Sequence, residues 1–235
     1  KQGESFGLVG ESGCGKTSVA MTLLQLQPEN GKISQGSIKF DSNEMIGLSE
    51  NELRKIRWKG MSIVFQGAMN AWNPVVKVGE QIREAMREHS PDNSKSENTK
   101  KIRELFEMVG LDESVIERFP HELSGGMKQR AMIALALSCD PKLIIADEPT
   151  TALDVVIQDQ ILKEIRKVQE VFGLSLIYIS HDIAVIAEMT DNMAVMYAGS
   201  IVELGKTEEI FKDPKHAYTR MLLESTPSIV GEKKK

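Results

Sequence analysis

Phe6-Gly-Leu-Val9, then Gly10-Glu-Ser-Gly-Cys-Gly-Lys16-Thr17, then Ser18-Val-Ala-Met-Thr-Leu-Leu-Gln-Leu26 reads as a strand, a glycine-rich turn and a helix in direct succession. The turn matches GxxxxGK[ST]. Its glycines let the backbone wrap an anion with successive N–H groups, and a helix that opens at such a turn adds its own unpaired N–H groups and the positive end of its dipole. Gly10, Glu11, Ser12, Gly13, Cys14, Gly15, Lys16, Thr17 and Ser18 are therefore the expected phosphate seat, with Lys16 reaching β and γ oxygens and Thr17 ligating Mg²⁺ through its hydroxyl. At average composition the four fixed positions coincide in on the order of one chain in a hundred of this length, and the strand–turn–helix context makes the coincidence rarer. Cys14 reads as a small side chain suited to a tight loop, although a thiol beside phosphates also admits a redox reading.

Working outward, Lys142-Leu-Ile-Ile-Ala-Asp147-Glu148-Pro149 is an apolar run ending in two acids. Beside a phosphate loop, Asp147 is expected to hold the magnesium shell and Glu148 to orient or deprotonate an attacking water, which favours hydrolysis over transfer to a hydroxyl. On its own the acid pair reads equally well as a solvated loop, and it is the pairing with the phosphate loop that decides. A second apolar run, 175–179, closes on Ser180-His181-Asp182, which places His181 on the same sheet edge. Gln66 ends the run Ser62-Ile-Val-Phe65, where its amide is placed to contact Mg²⁺ or water. Finally, Leu123-Ser-Gly-Gly-Met-Lys-Gln-Arg130 runs into an apolar helix, so Ser124, Gly125 and Gly126 make a second anion seat in one chain.

The 235 residues, 41% of them hydrophobic, suit one sizeable domain or a core with an inserted lobe. With 29 basic against 34 acidic residues the net charge is −5, which argues against a broad nucleic-acid-binding surface. No apolar run approaches the roughly 18 to 20 residues that span a bilayer. Two cysteines, Cys14 and Cys139, give neither a disulfide framework nor a metal-type spacing, so a reducing compartment is expected. The start lacks an initiator Met and a signal peptide, so a segment upstream is expected to have been removed. Strands are expected over 5–9, 62–65, 143–146, 175–180 and 192–197, several followed by helical patterns, as in a parallel sheet covered on both faces. Charged amphipathic helices are expected over 79–89 and 99–109 with a polar loop over 90–98 and no intervening strand. The class is α/β. The expected division is a core over 1–77, a helical subdomain over 78–140, the rest of the core over 141–220 and a tail over 221–235.

Taken in order, the loop at 10–17, Gln66, the stretch 123–130, the strand 143–148, Thr151-Ala-Leu-Asp154 and His181 resemble the ATP-binding cassette (ABC) ATPases over nearly the whole chain. The resemblance implies a P-loop NTPase (RecA-like) core, mostly parallel, with an inserted helical subdomain. It also implies ATP and Mg²⁺ as ligands, Glu148, His181 and Gln66 in catalysis, Gln66 also near the metal, and Gln129 and Asp154 near nucleotide. In this family the subunits act as head-to-tail dimers, so the 124–126 seat of one copy would bind the γ-phosphate in the partner's loop. That gives the second seat a purpose, since a helix start with nothing negative to bind in its own chain can donate in trans.

The stretches Phe65-Gln-Gly-Ala-Met-Asn-Ala-Trp-Asn-Pro74 and His216-Ala-Tyr-Thr-Arg-Met-Leu-Leu-Glu-Ser-Thr-Pro227 resemble the dipeptide, oligopeptide and nickel importer branch. That branch implies integral-membrane permease subunits as partners and a second ATPase subunit, identical or paralogous. It also implies an extracytoplasmic substrate-binding protein and a location on the cytoplasmic face of the membrane. Met69, Ala71 and Trp72 are expected in a groove that receives the permease, with burial in the core as the other reading for Trp72. Importers of nickel or oligosaccharide, and soluble cassette ATPases outside transport, are the alternatives. The family's adenine-stacking aromatic and first strands are expected upstream of Lys1. The iron–sulfur cysteines of the branch have no counterpart after Cys139, so no cluster is expected.

Overall fold

The computed structural model describes residues 2–67, 71–91, 93–151 and 153–225. β1 (Ser5–Val9) leads through the glycine-rich loop into α1 (Lys16–Leu23), three residues shorter at its end than the apolar pattern suggests, because Gln25 adopts a left-handed φ of 53°. A two-stranded ribbon, β2 (Lys39–Phe40) and β3 (Asn43–Glu44), and α2 (Glu50–Ile56) precede β4 (Met61–Val64). The chain then departs into helices: α3 (Val78–His89), α4 (Lys95–Met108) and α5 (Gly125–Leu137), with 3-10 turns at Glu113–Glu117 and Pro120–Glu122. It returns as β5 (Leu143–Asp147), α6 (Val155–Phe172), β6 (Ser175–Ser180), α7 (Ile183–Met189), β7 (Asn192–Tyr197), β8 (Ser200–Lys206), α8 (Thr207–Lys212) and α9 (Ala217–Glu224).

The main sheet has the order β4-β5-β6-β1-β7-β8. All neighbours pair in parallel except β7 with β8, an antiparallel edge joined by a tight turn. Successive residues point to opposite faces, and both faces are buried. Ile144, Ala146, Leu176, Tyr178, Met193 and Val195 join the core that continues into the helical lobe, whereas Ile145, Ile179, Ala194 and Met196 pack with Ala20 and Leu24 of α1. Burial on both faces explains why these strands read as unbroken apolar runs rather than alternations.

Between Val78 and Asp140 the described residues contain no strand. The lobe has its own apolar centre in Ile82, Met86, Ile102, Phe106 and Val115, each fully buried, and burial of each such side chain is worth about 1.5–3 kcal/mol. One expectation fails here. The polar stretch 90–98 is a loop only to Ser94, which caps α4: its hydroxyl accepts the Glu97 N–H while the Glu97 carboxylate accepts the Ser94 N–H. This reciprocal box starts the helix four residues before the apolar periodicity begins. The expected tail also begins too early, because α9 runs through residue 221 to Glu224. Most of that tail, 226–235, lies outside the described residues, as does Met69. No helix among the described residues is long and apolar enough to cross a membrane.

Candidate functional site

The sheet order sets four adjacent strands, β4, β5, β6 and β1, side by side, and the C-terminal ends of parallel strands are where open α/β sheets bind ligands. Gln66 follows β4, Asp147 ends β5 and Glu148 follows it, His181 follows β6 and the glycine-rich loop follows β1. Four stretches scattered over the chain therefore meet on one edge.

The loop is shaped by sterics. A Cβ on Gly10 would lie 2.2 Å from the Met196 carbonyl oxygen of β7, so no side chain fits there. Gly15, the residue before α1, has φ 105°, which a side chain rarely adopts. No side chain caps α1, and its first N–H groups are left to whatever occupies the loop. Glu11, Ser12, Gly13, Thr17 and Ser18 are exposed; Gly10, Cys14 and Lys16 are buried. Cys14 packs with Leu8, Ala20 and Met196, in keeping with its reading as a small loop residue. The Lys16 ammonium donates to the carbonyls of Gly10 at 2.7 Å and Glu11 at 2.9 Å, bridging the loop from inside.

Asp147 is 1% exposed, and neither carboxylate oxygen completes a hydrogen bond of good geometry. Burial pushes its carboxyl above the usual range and the Glu148 carboxylate adds to this, while the Thr17 hydroxyl and the Lys16 ammonium act against it. A buried carboxylate left without partners and facing a hydroxyl is a pair of hard oxygen donors, which fits Mg²⁺.

Glu148 sits at φ 47°, a left-handed conformation that costs a non-glycine residue about 1–2 kcal/mol, and its N–H donates to the Ile179 carbonyl at 2.9 Å. Its side chain is 8% exposed and held on three sides. The Gln66 amide donates to Oε2 at 3.0 Å and the Thr151 hydroxyl to the same oxygen at 2.9 Å. His181 Nδ1 lies 3.3 Å from Oε1, with more than half of its ring open to solvent. The structure thus brings Gln66, Glu148 and His181 together. Thr151 joins them unannounced, and only the fixed three-residue spacing across the turn after β5 signals it.

The second anion seat stands apart. Ser124 caps α5 by accepting the Met127 N–H at 3.3 Å and is exposed. Among the described residues no hydrogen bond or ion pair joins Ser124, Gly125 or Gly126 to residues 10–18. Gln129, expected near nucleotide, is 4% exposed, with its amide nitrogen unpartnered inside the protein. Arg130, next in the sequence, pairs with Glu164 and Gln160 of α6 and with the Val109 carbonyl, locking the lobe to the core. Asp154 caps α6 through the Ile157 N–H at 3.0 Å, and the neighbouring Val155 and Val156 are 81% and 66% exposed.

A groove of about 230 Å³ lies between sheet and lobe, lined by Leu24, Trp58, Phe65, Ala71, Met132 and Leu135 among others. Ala71 is there as expected. Trp72 is not: it is 5% exposed in the core with its indole N–H on the Lys128 carbonyl, so the burial reading holds. Trp58, stacked on His89, is the tryptophan that faces the groove.

Residues 1–151 match the family described as ABC transporter, and 202–235 match the oligopeptide/dipeptide transporter, C-terminal region. The oligopeptide transport ATP-binding protein OppD of Bacillus subtilis (strain 168) is 46% identical over 97% of this chain and 64% of its own length. The dipeptide transport ATP-binding protein DppD of Lactococcus lactis subsp. cremoris (strain MG1363) is 43% identical over 97% of the chain and 66% of its own. The chain therefore spans about two thirds of the length of these relatives. Among solved structures, the ATP-binding cassette MJ0796, a dimer in a post-hydrolysis state bound to ADP and Pi, superposes with a TM-score of 0.77 at 29% identity over 88% of this chain and 87% of that one. The cbiO1 protein of Clostridium perfringens, part of the transporter complex cbiONQ, gives 0.78 at 28% identity over 91% and 81%.

Proposed function

Because this chain belongs to the ABC transporter family, we propose that it is the ATP-hydrolysing subunit of an importer and powers uptake of dipeptides or oligopeptides. The observation that carries the reading is the caged Glu148 carboxylate on the same sheet edge as the phosphate loop. In this reading the loop N–H groups and Lys16 hold the β and γ phosphates. Thr17 and Asp147 would hold Mg²⁺, which when bound would offset the phosphate charge. Glu148 accepts a proton from the attacking water, Gln66 and Thr151 fix the carboxylate, and His181 stands at its open oxygen toward the γ-phosphate.

The isolated seat at Ser124, Gly125 and Gly126 has no phosphate of its own, so a second ATPase subunit supplies one, head to tail. Two exposed valines beside Asp154 suit the same contact. ATP is then the cement, and hydrolysis removes the charge on which both subunits converge. The groove that Ala71 and Trp58 line is the proposed seat of the integral-membrane permease subunits, with a substrate-binding protein on the far side and this subunit on the cytoplasmic face. Peptides are favoured as cargo by the match of residues 202–235 and by the names of the relatives.

Glu148→Gln tests the core of this. Turnover should fall by roughly 10²–10⁴-fold while Mg-ATP still binds, and light scattering should show a dimer that the wild type forms only transiently. Turnover within tenfold of wild type would remove Glu148 from its role.

A further inference from the structure

We infer that Tyr218 is a positioning residue for the phosphate loop, its hydroxyl holding the Glu11 amide and so tying the C-terminal segment to the nucleotide site. The inference rests on the proposed reading of that loop. Tyr218 Oη accepts the Glu11 N–H at 3.2 Å, across 207 residues of sequence, and the tyrosine is only 7% exposed. Its ring packs on Tyr197 with centroids 4.5 Å apart and planes tilted 42°, a favourable aromatic geometry. Tyr197 ends β7, one residue after the carbonyl that abuts Gly10, and the turn that follows donates the Gly199 N–H to the Cys14 carbonyl at 3.1 Å.

The hydroxyl is presented by a fixed frame. The Glu203 carboxylate of β8 accepts the N–H groups of Lys215 at 2.7 Å and His216 at 3.1 Å. His216 Nδ1 then accepts the Tyr218 N–H at 3.1 Å and starts α9. The Arg220 guanidinium closes the turn on the carbonyls of Pro214 and Lys215.

A loop with glycines in left-handed conformations is entropically costly to order, and a site pays less on binding when the loop is ordered beforehand. Three bonds act on Glu11, whose carbonyl also accepts the Cys14 N–H at 3.3 Å within the loop. Lys16 holds its carbonyl, but a phosphate drawing the ammonium outward competes with that bond. Tyr218 holds the N–H, which takes that one amide out of the phosphate seat and leaves the seat to the amides that follow it in the loop. The segment matched by the oligopeptide/dipeptide C-terminal region thereby enters nucleotide affinity as well as cargo-branch identity.

Tyr218→Phe removes only the hydroxyl and keeps the ring. The dissociation constant for Mg-ATP, by calorimetry, should rise about fivefold, the scale of one neutral hydrogen bond. KM for ATP should rise with it while kcat stays within about twofold, and exchange of the Glu11 amide proton in nucleotide-free protein should quicken. Unchanged affinity and unchanged Glu11 exchange, with Lys16→Ala losing ATP as the loop requires, would overturn the inference and leave the loop standing. If Lys16→Ala bound ATP as the wild type does, the loop reading itself would fall and the inference with it.

Discussion

Replacing Asp147 by Asn should make the ligand-free protein more stable and the magnesium-loaded one less so. In the structure this carboxylate is 1% exposed and neither oxygen completes a hydrogen bond. A buried polar group without partners costs about 1–3 kcal/mol, and more when charged. Asn keeps the shape and some of the polar penalty but sheds the charge, so the gain should be about 1–2 kcal/mol. For a chain of this size each kcal/mol moves the melting temperature by roughly 2–4 °C, so Asp147→Asn should melt about 2–8 °C higher in EDTA at pH 7.5. The pH dependence follows from the direction of the shift. Burial raises the Asp147 carboxyl above its value in the unfolded chain, so its penalty is complete above the folded pKa and vanishes as pH falls below the unfolded value. The gap between the two proteins should therefore close toward low pH. With saturating Mg-ATP the wild type gains the linkage stabilisation, about 2.7 kcal/mol at a hundredfold excess over Kd, and the order should invert. Scanning fluorimetry reads all three. A variant no more stable than wild type in EDTA would refute the account of Asp147 as an unpartnered donor reserved for a cation.

Ser124→Arg, at an exposed helix start, should leave Mg-ATP binding by the monomer intact, cost only the cap, about 1 kcal/mol, and abolish the ATP-dependent dimer in light scattering; a persisting dimer would remove this seat from the partner contact. Arg130→Ala strips Glu164 of its cation in a mostly buried pair and should cost about 3 kcal/mol by urea unfolding at pH 7.5. Because burial already raises the Glu164 carboxyl and Arg130 opposes that, the loss should shrink as pH falls and Glu164 takes up a proton; a pH-independent loss would mean the guanidinium acts by packing alone.

The phosphate loop, the acid pair, Gln66 and His181 were legible because each ends an apolar run, and strands buried on both faces announce themselves without long-range information. Strand order is not local, and the adjacency of β4, β5, β6 and β1 comes only from packing the crossovers. The start of α4 is written as Ser94-x-x-Glu97, a capping signal set in a polar stretch without apolar periodicity. Trp72 and Gln129 show the converse, side chains whose chemistry suggests a surface and whose position one turn or one loop away buries them. Tyr218 has no sequence signal at all, since its partner amide lies at the other end of the chain. The edge strand β8 and the β2–β3 ribbon carry no strand signal in the sequence, because their residues are largely exposed and show no clean alternation.

The chain enters and leaves the lobe at opposite ends of neighbouring strands. It leaves from the top of β4, through Gln66, and returns at the foot of β5, which it enters at Leu143. The departing strap is the longer of the two, thirteen residues (65–77) against five (138–142) on the return, and it opens on Phe65 and Gln66. A tug of about 0.5 Å on that strap would carry the 3.0 Å bond from Gln66 to Glu148 past the range in which it orients anything. A displacement of the lobe that reached Gln66 would therefore act on the carboxylate proposed to take the water's proton.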